Sequence, residues 1–271
     1  MRVDLHVHST ASDGQLDPGE VVRQAVAGRL DVIALTDHDT TGGWRAAVEA
    51  AKGLDLEVIP GTELSSTDDG REIHVLGYFV DVDAPALVER EVRAHDRRME
   101  RLQEMVARLK AAGVDVPMEA VLDVPGADVG NIGRPHLARA LVATGHATTV
   151  EDAFTRLIGN ECPAFVPTAF STAIEVVSLI RQAGGVPVWA HPPRDALERL
   201  TRPMVDAGLG GLEIYRLNHG SRYVVELEAV AKSYGLVATG GSDWHGPDNG
   251  VLGEFYVSGS DVEEFLSLGG L

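Results

Sequence analysis

The sequence predicts an α/β fold of the barrel type, and three observations carry that expectation. Short apolar runs of strand length alternate with amphipathic stretches of helical period, 271 residues suffice for one barrel-sized core, and blocks rich in histidine and carboxylate recur at predicted strand ends. In chain order, residues 3–7 read as the first strand. A loop containing Asp13 follows, and then a helix whose start is written in Asp17 as N-cap, Pro18 at its first position and Glu20 three residues after the cap, with Gly28 near its stop. Residues 32–35, 57–59, 73–79, 186–190, 211–215, 236–239 and 254–257 read as further strands. Strand and helix alternation implies a mainly parallel sheet, with chemistry placed at the C-terminal strand ends. Residues 83–167 break the pattern with a long charged helix over 87–112, stopped by Gly113, and shorter helical pieces near 118–122, 135–143 and 150–157. The expected organisation is therefore a discontinuous barrel domain, 1–82 and 168–271, interrupted by a helical subdomain, 83–167, that covers the barrel mouth.

Six of the ten histidines and three carboxylates fall into one pattern: Asp4-Leu5-His6-Val7-His8 with Asp13, Thr36-Asp37-His38, Glu63, His74, His191 and Asp243-Trp244-His245. Residues two apart on a strand point to one face, so His6 and His8 share the end of the first strand. Asp243 and His245 repeat that spacing after a Gly240-Gly241 turn. Imidazole and carboxylate without thiolate suit first-row divalent ions such as Zn, Mn or Fe, and a single cysteine, Cys162, excludes thiolate cages. An isolated His-x-His is commonly a pair of core residues. Six such blocks in order, each at a predicted strand end, read instead as a multinuclear metal site.

These blocks resemble the polymerase and histidinol phosphatase (PHP) family of metal-dependent phosphoesterases. The resembling residues are Asp4-Leu5-His6-Val7-His8-Ser9 with Ser12-Asp13-Gly14, residues 34–39, Pro60-Gly61-Thr62-Glu63, His74-Val75-Leu76-Gly77, Ala190-His191-Pro192 and Gly241-Ser242-Asp243-Trp244-His245, which span most of the chain. The resemblance implies a distorted, TIM-like (β/α)7 barrel with two to three divalent ions (Mn, Fe or Zn). It further implies that one ion takes His6, His8, Glu63 and Asp243, a second shares Glu63 with His74 and His191, and a third takes Asp13, His38 and His245. The branch whose layout is most similar, with a helical insert and a Gly-Arg-Pro-His segment, removes the 3′-phosphate from nucleoside 3′,5′-bisphosphates, and some members trim short RNA from its 5′ end. The alternatives are a 5′-3′ exoribonuclease on short RNA, a histidinol-phosphatase-like small-molecule phosphatase, and a structural domain without hydrolysis. With the full ligand set present and no polymerase portion following, the structural role is the least expected.

The reaction implied by such a centre is phosphoester hydrolysis by metal-hydroxide attack, centred on the ions that Glu63 links, which hold the phosphoryl oxygens. The proton for the leaving oxygen comes from His219, from Asp37 or from water; Asp37 alternatively orients a ligand from behind. Substrate contacts are expected from Asn131, Arg134 and His136, because a helix N-terminus beside an arginine suits phosphate, although Arg134 also suits a surface salt bridge. Tyr215 joins His219 at the rim, or both merely pack. Trp189 and Trp244 flank ligands and are expected to wall the site. The net charge of -18 argues against a broad nucleic-acid-binding surface and leaves small phosphorylated substrates, nucleotides or short RNA as partners, with no DNA and no membrane. No apolar run reaches spanning length and one cysteine agrees with a reducing compartment, so the expected location is cytoplasmic.

Overall fold

The structure is a computed structural model that describes residues 1–124, 132–167 and 171–271. Eight strands form one sheet that curls into a nearly closed barrel ringed by helices: β1 (Arg2–Val7), β2 (Val32–Leu35), β3 (Glu57–Asp68), β4 (Arg71–Tyr78), β5 (Val186–Trp189), β6 (Gly211–Tyr215), β7 (Val237–Gly240) and β8 (Val257–Ser258), in the order β7-β6-β5-β4-β3-β2-β1-β8. The eighth strand, expected over 254–257, is a two-residue β8 that pairs antiparallel with the start of β1, so the sheet has eight strands where the family resemblance implied seven. The turn after β7 brings the barrel's two ends together, for Asp243 N–H donates to His6 O and His8 N–H to Trp244 O, both at 2.9 Å. Gly241 permits that approach, since a Cβ there would lie 2.5 Å from the His6 nitrogen.

Helix α1 (Pro18–Ala27) begins as its sequence dictates, with the Asp17 side chain accepting from Glu20 N–H at 3.1 Å and Pro18 at the first position. It packs with α2 (Trp44–Ala51) over β1 to β3, and Val7, Val21, Ile33 and Leu35 share one apolar cluster. Pairing is parallel for β1 to β3 and again for β5 to β7, but β4 runs antiparallel to both of its neighbours. A β3 ending at residue 59 was too short an expectation. The strand continues through Glu63 to Asp68 and turns back at Asp69-Gly70, both with positive φ, into β4. That two-residue turn is the Asp-Gly hairpin signal.

Helix α3 (Pro85–Ala111) has two halves. Its Leu87 packs with the barrel's helical layer, and its Leu102, Met105 and Leu109 enter a separate apolar cluster with α4 (Met118–Leu122), α5 (Arg134–Ala143) and α6 (Val150–Ala153), the last continued by a π-helical turn over Phe154–Ile158. Helices α7 (Ala173–Gln182), α8 (Leu197–Asp206) and α9 (Ser221–Tyr234) cover β4 to β7. Phe265 of α10 (Glu263–Leu268) packs edge-on against Tyr78 at 4.8 Å near the N-terminal end of β1, opposite the end that carries the histidines. Among the described residues, no helix is long and apolar enough to cross a membrane.

Candidate metal centre and active site

His6 is the penultimate residue of β1, His8 lies just beyond it, and Asp13 sits in the loop before α1. His38 follows β2, Glu63 lies within β3, His74 is paired with Ser65 across the hairpin, His191 follows β5, and Asp243 and His245 follow β7. Seven of these nine side chains thus come from strand ends or the loops after them, while Glu63 and His74 project from within the β3–β4 hairpin and not, as expected, from strand ends. Glu63 is central and buried. Its Oε2 lies 3.2, 3.4 and 3.1 Å from ring nitrogens of His6, His8 and His38, and its Oε1 lies 2.9 Å from those of His74 and His191. Asp243 Oδ1 approaches His6 and His8 at 3.4 and 3.3 Å, while Asp13 approaches His245 at 3.2 Å and His38 at 4.0 Å. Three groups meet metal-binding spacing: His6, His8, Glu63 and Asp243; His38, Glu63 and His74; and His8, Asp13, His38 and His245. His191 joins the second, 3.3 Å from His74.

The donor set fits divalent ions. His8 Nε2 and His38 Nδ1 are buried and take no hydrogen bond among the described residues, a cost that coordination removes. Other rings are aimed by their second nitrogen. His6 Nδ1 faces Glu213 Oε1 at 2.7 Å, His74 Nε2 faces Glu72 Oε1 at 3.3 Å, and His245 Nδ1 donates to Asp243 O at 2.9 Å. A proton on each of those nitrogens leaves the opposite lone pair facing the cluster. Burial alone would raise Asp13, Glu63 and Asp243, yet the surrounding imidazoles hold all three well below the carboxylate range. Burial holds His38 down at about 4, so it stays neutral, while Asp13 overcomes burial to lift His245 to about 9. Two ligand-type residues, His191 and Asp243, have positive φ of 29° and 59°, backbone strain of roughly 1–3 kcal/mol each of the kind concentrated at functional sites.

Other expectations fare differently. Asp37 is buried and its oxygens accept from Ser9 N–H, Ser9 Oγ and Ser12 Oγ at 2.7 Å each, so it shapes the loop that carries Asp13 and lines no cavity at the site. Burial lowers His219, whose Nδ1 donates to Ile214 O at 2.8 Å, and it too stands outside the cavity walls. Tyr215 turns its hydroxyl to Glu228 on α9 at 3.1 Å, away from the site. His136 is wholly buried, its Nδ1 accepting the Gly133 N–H at 3.0 Å to close the first turn of α5. Trp189 and Trp244 pack into the helical layers and do not wall the site. Asn131 lies outside the described residues. Arg134 does reach the site, with its guanidinium 3.5 Å from Glu72 and hydrogen-bonded to Asn160 at 2.8 Å.

Three residues were not singled out by sequence. Glu213, besides holding His6, accepts the His191 N–H at 2.6 Å, and Arg216 donates to Asp243 Oδ2 at 2.6 Å. Glu72 holds His74. A lone carboxylate inside the apolar strand Gly-Leu-Glu-Ile-Tyr was the available signal for Glu213. Two cavities open here: one of about 310 Å³ lined by His38, Glu63, His74, His191, Arg216, Asp243 and His245, and one of about 140 Å³ that shares His38 and His74 and runs to Arg98, Arg101, Arg134 and Phe154.

The PHP domain family matches residues 4–81. The 5′-3′ exoribonuclease Rnm of Salmonella typhimurium is 34% identical over 90% of this chain and 85% of its own length. A 3′,5′-nucleoside bisphosphate phosphatase of Chromobacterium violaceum is 33% identical over 92% and 88%, and a phosphoribosyl 1,2-cyclic phosphate 1,2-diphosphodiesterase of Eggerthella lenta 34% identical over 90% and 94%. A Bifidobacterium adolescentis protein, provisionally described as a metal-dependent phosphoesterase, superposes with a TM-score of 0.87 at 32% identity, covering 98% of this chain and 95% of that one. The barrel, its convergent histidines and carboxylates and these full-length relatives lead to one conclusion: the chain belongs to the PHP family of metal-dependent phosphoesterases.

Proposed function

We propose that the protein removes the 3′-phosphate from nucleoside 3′,5′-bisphosphates. The observation that carries this reading is the union of the nine-residue cluster with an arginine-lined cavity that shares His38 and His74, which offers one place for reaction and another for a second anion. The identity to a phosphatase of that name supports it. His6, His8, Glu63 and Asp243 would hold one ion, Glu63, His74 and His191 a second, and Asp13, His38 and His245 a third. When bound, Mn, Fe or Zn ions supply a water of lowered pKa and positive charge for the phosphoryl oxygens. Glu63 orients the rings on both of its sides, Arg216 fixes Asp243 so that its other oxygen faces the cluster, and Glu213 and Glu72 fix the tautomers of His6 and His74. Arg134 contributes a guanidinium to the substrate cavity.

Exoribonuclease action on short RNA is the second reading, favoured by the identity to Rnm. The test compares adenosine 3′,5′-bisphosphate, 5′-phosphorylated oligoribonucleotide, ribose 1,2-cyclic phosphate 5-phosphate and histidinol phosphate with Mn-loaded protein. At least about tenfold higher kcat/KM for the bisphosphate is expected. A higher value for RNA would promote the exoribonuclease, and a higher value for either of the others would replace both readings.

A further inference from the structure

We propose that Asp4 is a positioning residue for the metal centre: through Ser242 it holds the Asp243 loop in register with His6, without touching substrate or ion. The inference rests on the reading of the nine-residue cluster as a metal site. It assigns a wholly buried carboxylate that lies inside the first ligand block and belongs to none of the three ligand groups. Strand pairing leaves a gap at this point. On the side that faces β7, β1 pairs with β8 only at Arg2 and Val3, and the next pairing among the described residues is the isolated bridge from Val7 to Trp244. Asp4 fills that gap with its side chain. Its Oδ1 accepts the Ser242 N–H at 2.9 Å and the His6 N–H at 3.3 Å, and its Oδ2 accepts the Ser242 hydroxyl at 2.6 Å.

What this clasp holds is strained. Asp243 has a φ of 59°, in the left-handed region that a residue other than glycine keeps only when its surroundings impose it. Its neighbours on both sides are fixed: Ser242 by Asp4, and Trp244 through its O, which accepts the His8 N–H at 2.9 Å. Its own N–H donates to His6 O at 2.9 Å, and Arg216 takes its Oδ2, so Oδ1 is left facing His6 and His8 at 3.4 and 3.3 Å. The Asp4 carboxylate thus ties the backbone of one ligand, His6, to the residue before another, Asp243, from a single side chain. A charged oxygen accepts N–H and O–H groups more strongly than a neutral one, and burial keeps water from competing. Removing it leaves the Ser242 and His6 N–H groups without this acceptor and frees Asp243 to relax out of positive φ, which carries Oδ1 off the cluster.

Calorimetric Mn binding to chelator-treated full-length protein tests the clasp apart from turnover. Asp4→Leu, similar in size and without an acceptor, is expected to weaken the tightest Mn binding about 10- to 100-fold, the range for partners behind metal ligands. Ser242→Ala, which removes one hydrogen bond to a charged group, should weaken it about tenfold, and Ser242→Thr, which keeps the hydroxyl, should restore most of that loss. Asp4→Asn keeps an oxygen for both N–H groups and should fall between wild type and Asp4→Leu. Thr201→Val removes a buried hydroxyl bond to Leu197 O, 2.7 Å long and within α8, and so measures lost fold stability alone: it should lower the denaturation midpoint and leave Mn binding unchanged. In turnover of adenosine 3′,5′-bisphosphate, excess Mn should return Ser242→Ala towards wild type with KM unchanged, because the clasp does not touch substrate. Mn binding by Asp4→Leu and Ser242→Ala equal to wild type overturns the proposal and leaves Arg216 and the Asp243 N–H as sufficient supports. Weakening by Thr201→Val as large as that by Ser242→Ala also overturns it, since the effect is then one of stability. Weakened Mn binding in a series whose wild type releases no phosphate from the bisphosphate upholds the clasp and rejects the proposed reaction, whereas a wild type that binds no Mn rejects the metal centre and the clasp with it. Should Asp4→Leu lose its circular dichroism, the two Ser242 variants decide.

Discussion

Each histidine whose outer nitrogen is engaged presents its other nitrogen to the cluster, and that one-proton choice is where residue chemistry becomes function. Glu213 is the most exacting example, because one carboxylate fixes the His6 ring and the backbone of His191 together. Glu213→Gln should lower metal affinity about 10- to 100-fold, as losses behind a ligand do; metal retained after dialysis, measured by elemental analysis, checks this. Without ions, the nearby carboxylates raise His6 and His74 well above the imidazole range and His245 to about 9, against the effect of burial. Filling the site must therefore expel protons. Calorimetric Mn titration of chelator-treated protein near pH 7 should release about three protons, one from each of these rings, across buffers of different ionisation enthalpy, and apparent affinity should rise with pH. The nine ligand-type residues were legible because coordination restricts residue type and strand geometry restricts spacing. Glu213, Arg216 and Glu72 were not, because a single charged residue acquires its role only from its spatial neighbour.

At the scale of elements, α3 is tied to the barrel strands through charge. Arg90 and Arg98 both meet the buried Asp39, directly after His38, and Arg90 also donates to Ser65 O in β3. Burial pushes Asp39 up, but the Arg98 and Arg90 charges outweigh it and hold the carboxyl below its ordinary value. A folded value below the unfolded one means that this contribution is present above about pH 4 and is lost as pH falls through the folded value. Asp39→Asn leaves two buried guanidinium groups without their anion and should cost about 3–5 kcal/mol in denaturant unfolding at neutral pH. Should the variant unfold like wild type, α3 is held by packing alone. The start of α1 was readable because a cap is local chemistry, and Asp17→Ala should cost about 1 kcal/mol in the same assay. The full length of β3 was not, since residues 60–68 mix Pro, Gly, Ser and Thr with Glu63 and gain strand structure only by pairing with β4. In Gly-Arg-Pro-His the histidine caps its own helix, a role that only the turn's geometry discloses.

For the molecule as a whole, strand and helix alternation disclosed the barrel, and it could not disclose the antiparallel β4, whose direction follows from an Asp-Gly turn. A chain of net charge -18 gathers Arg98, Arg101 and Arg134 at one cavity beside the histidines. Asp13 and Glu72 line the same cavity and Asp39 pairs with Arg98, so these arginines sit among carboxylates next to the barrel's histidines. The most direct measurement of the central claim is a phosphorus NMR time course of adenosine 3′,5′-bisphosphate with Mn-loaded wild-type protein and with Asp243→Asn. The account predicts that the wild type converts the 3′-phosphate signal to inorganic phosphate while the 5′-phosphate signal persists, and that the folded variant releases none. Loss of the 5′-phosphate first, or undiminished release by Asp243→Asn, would contradict it.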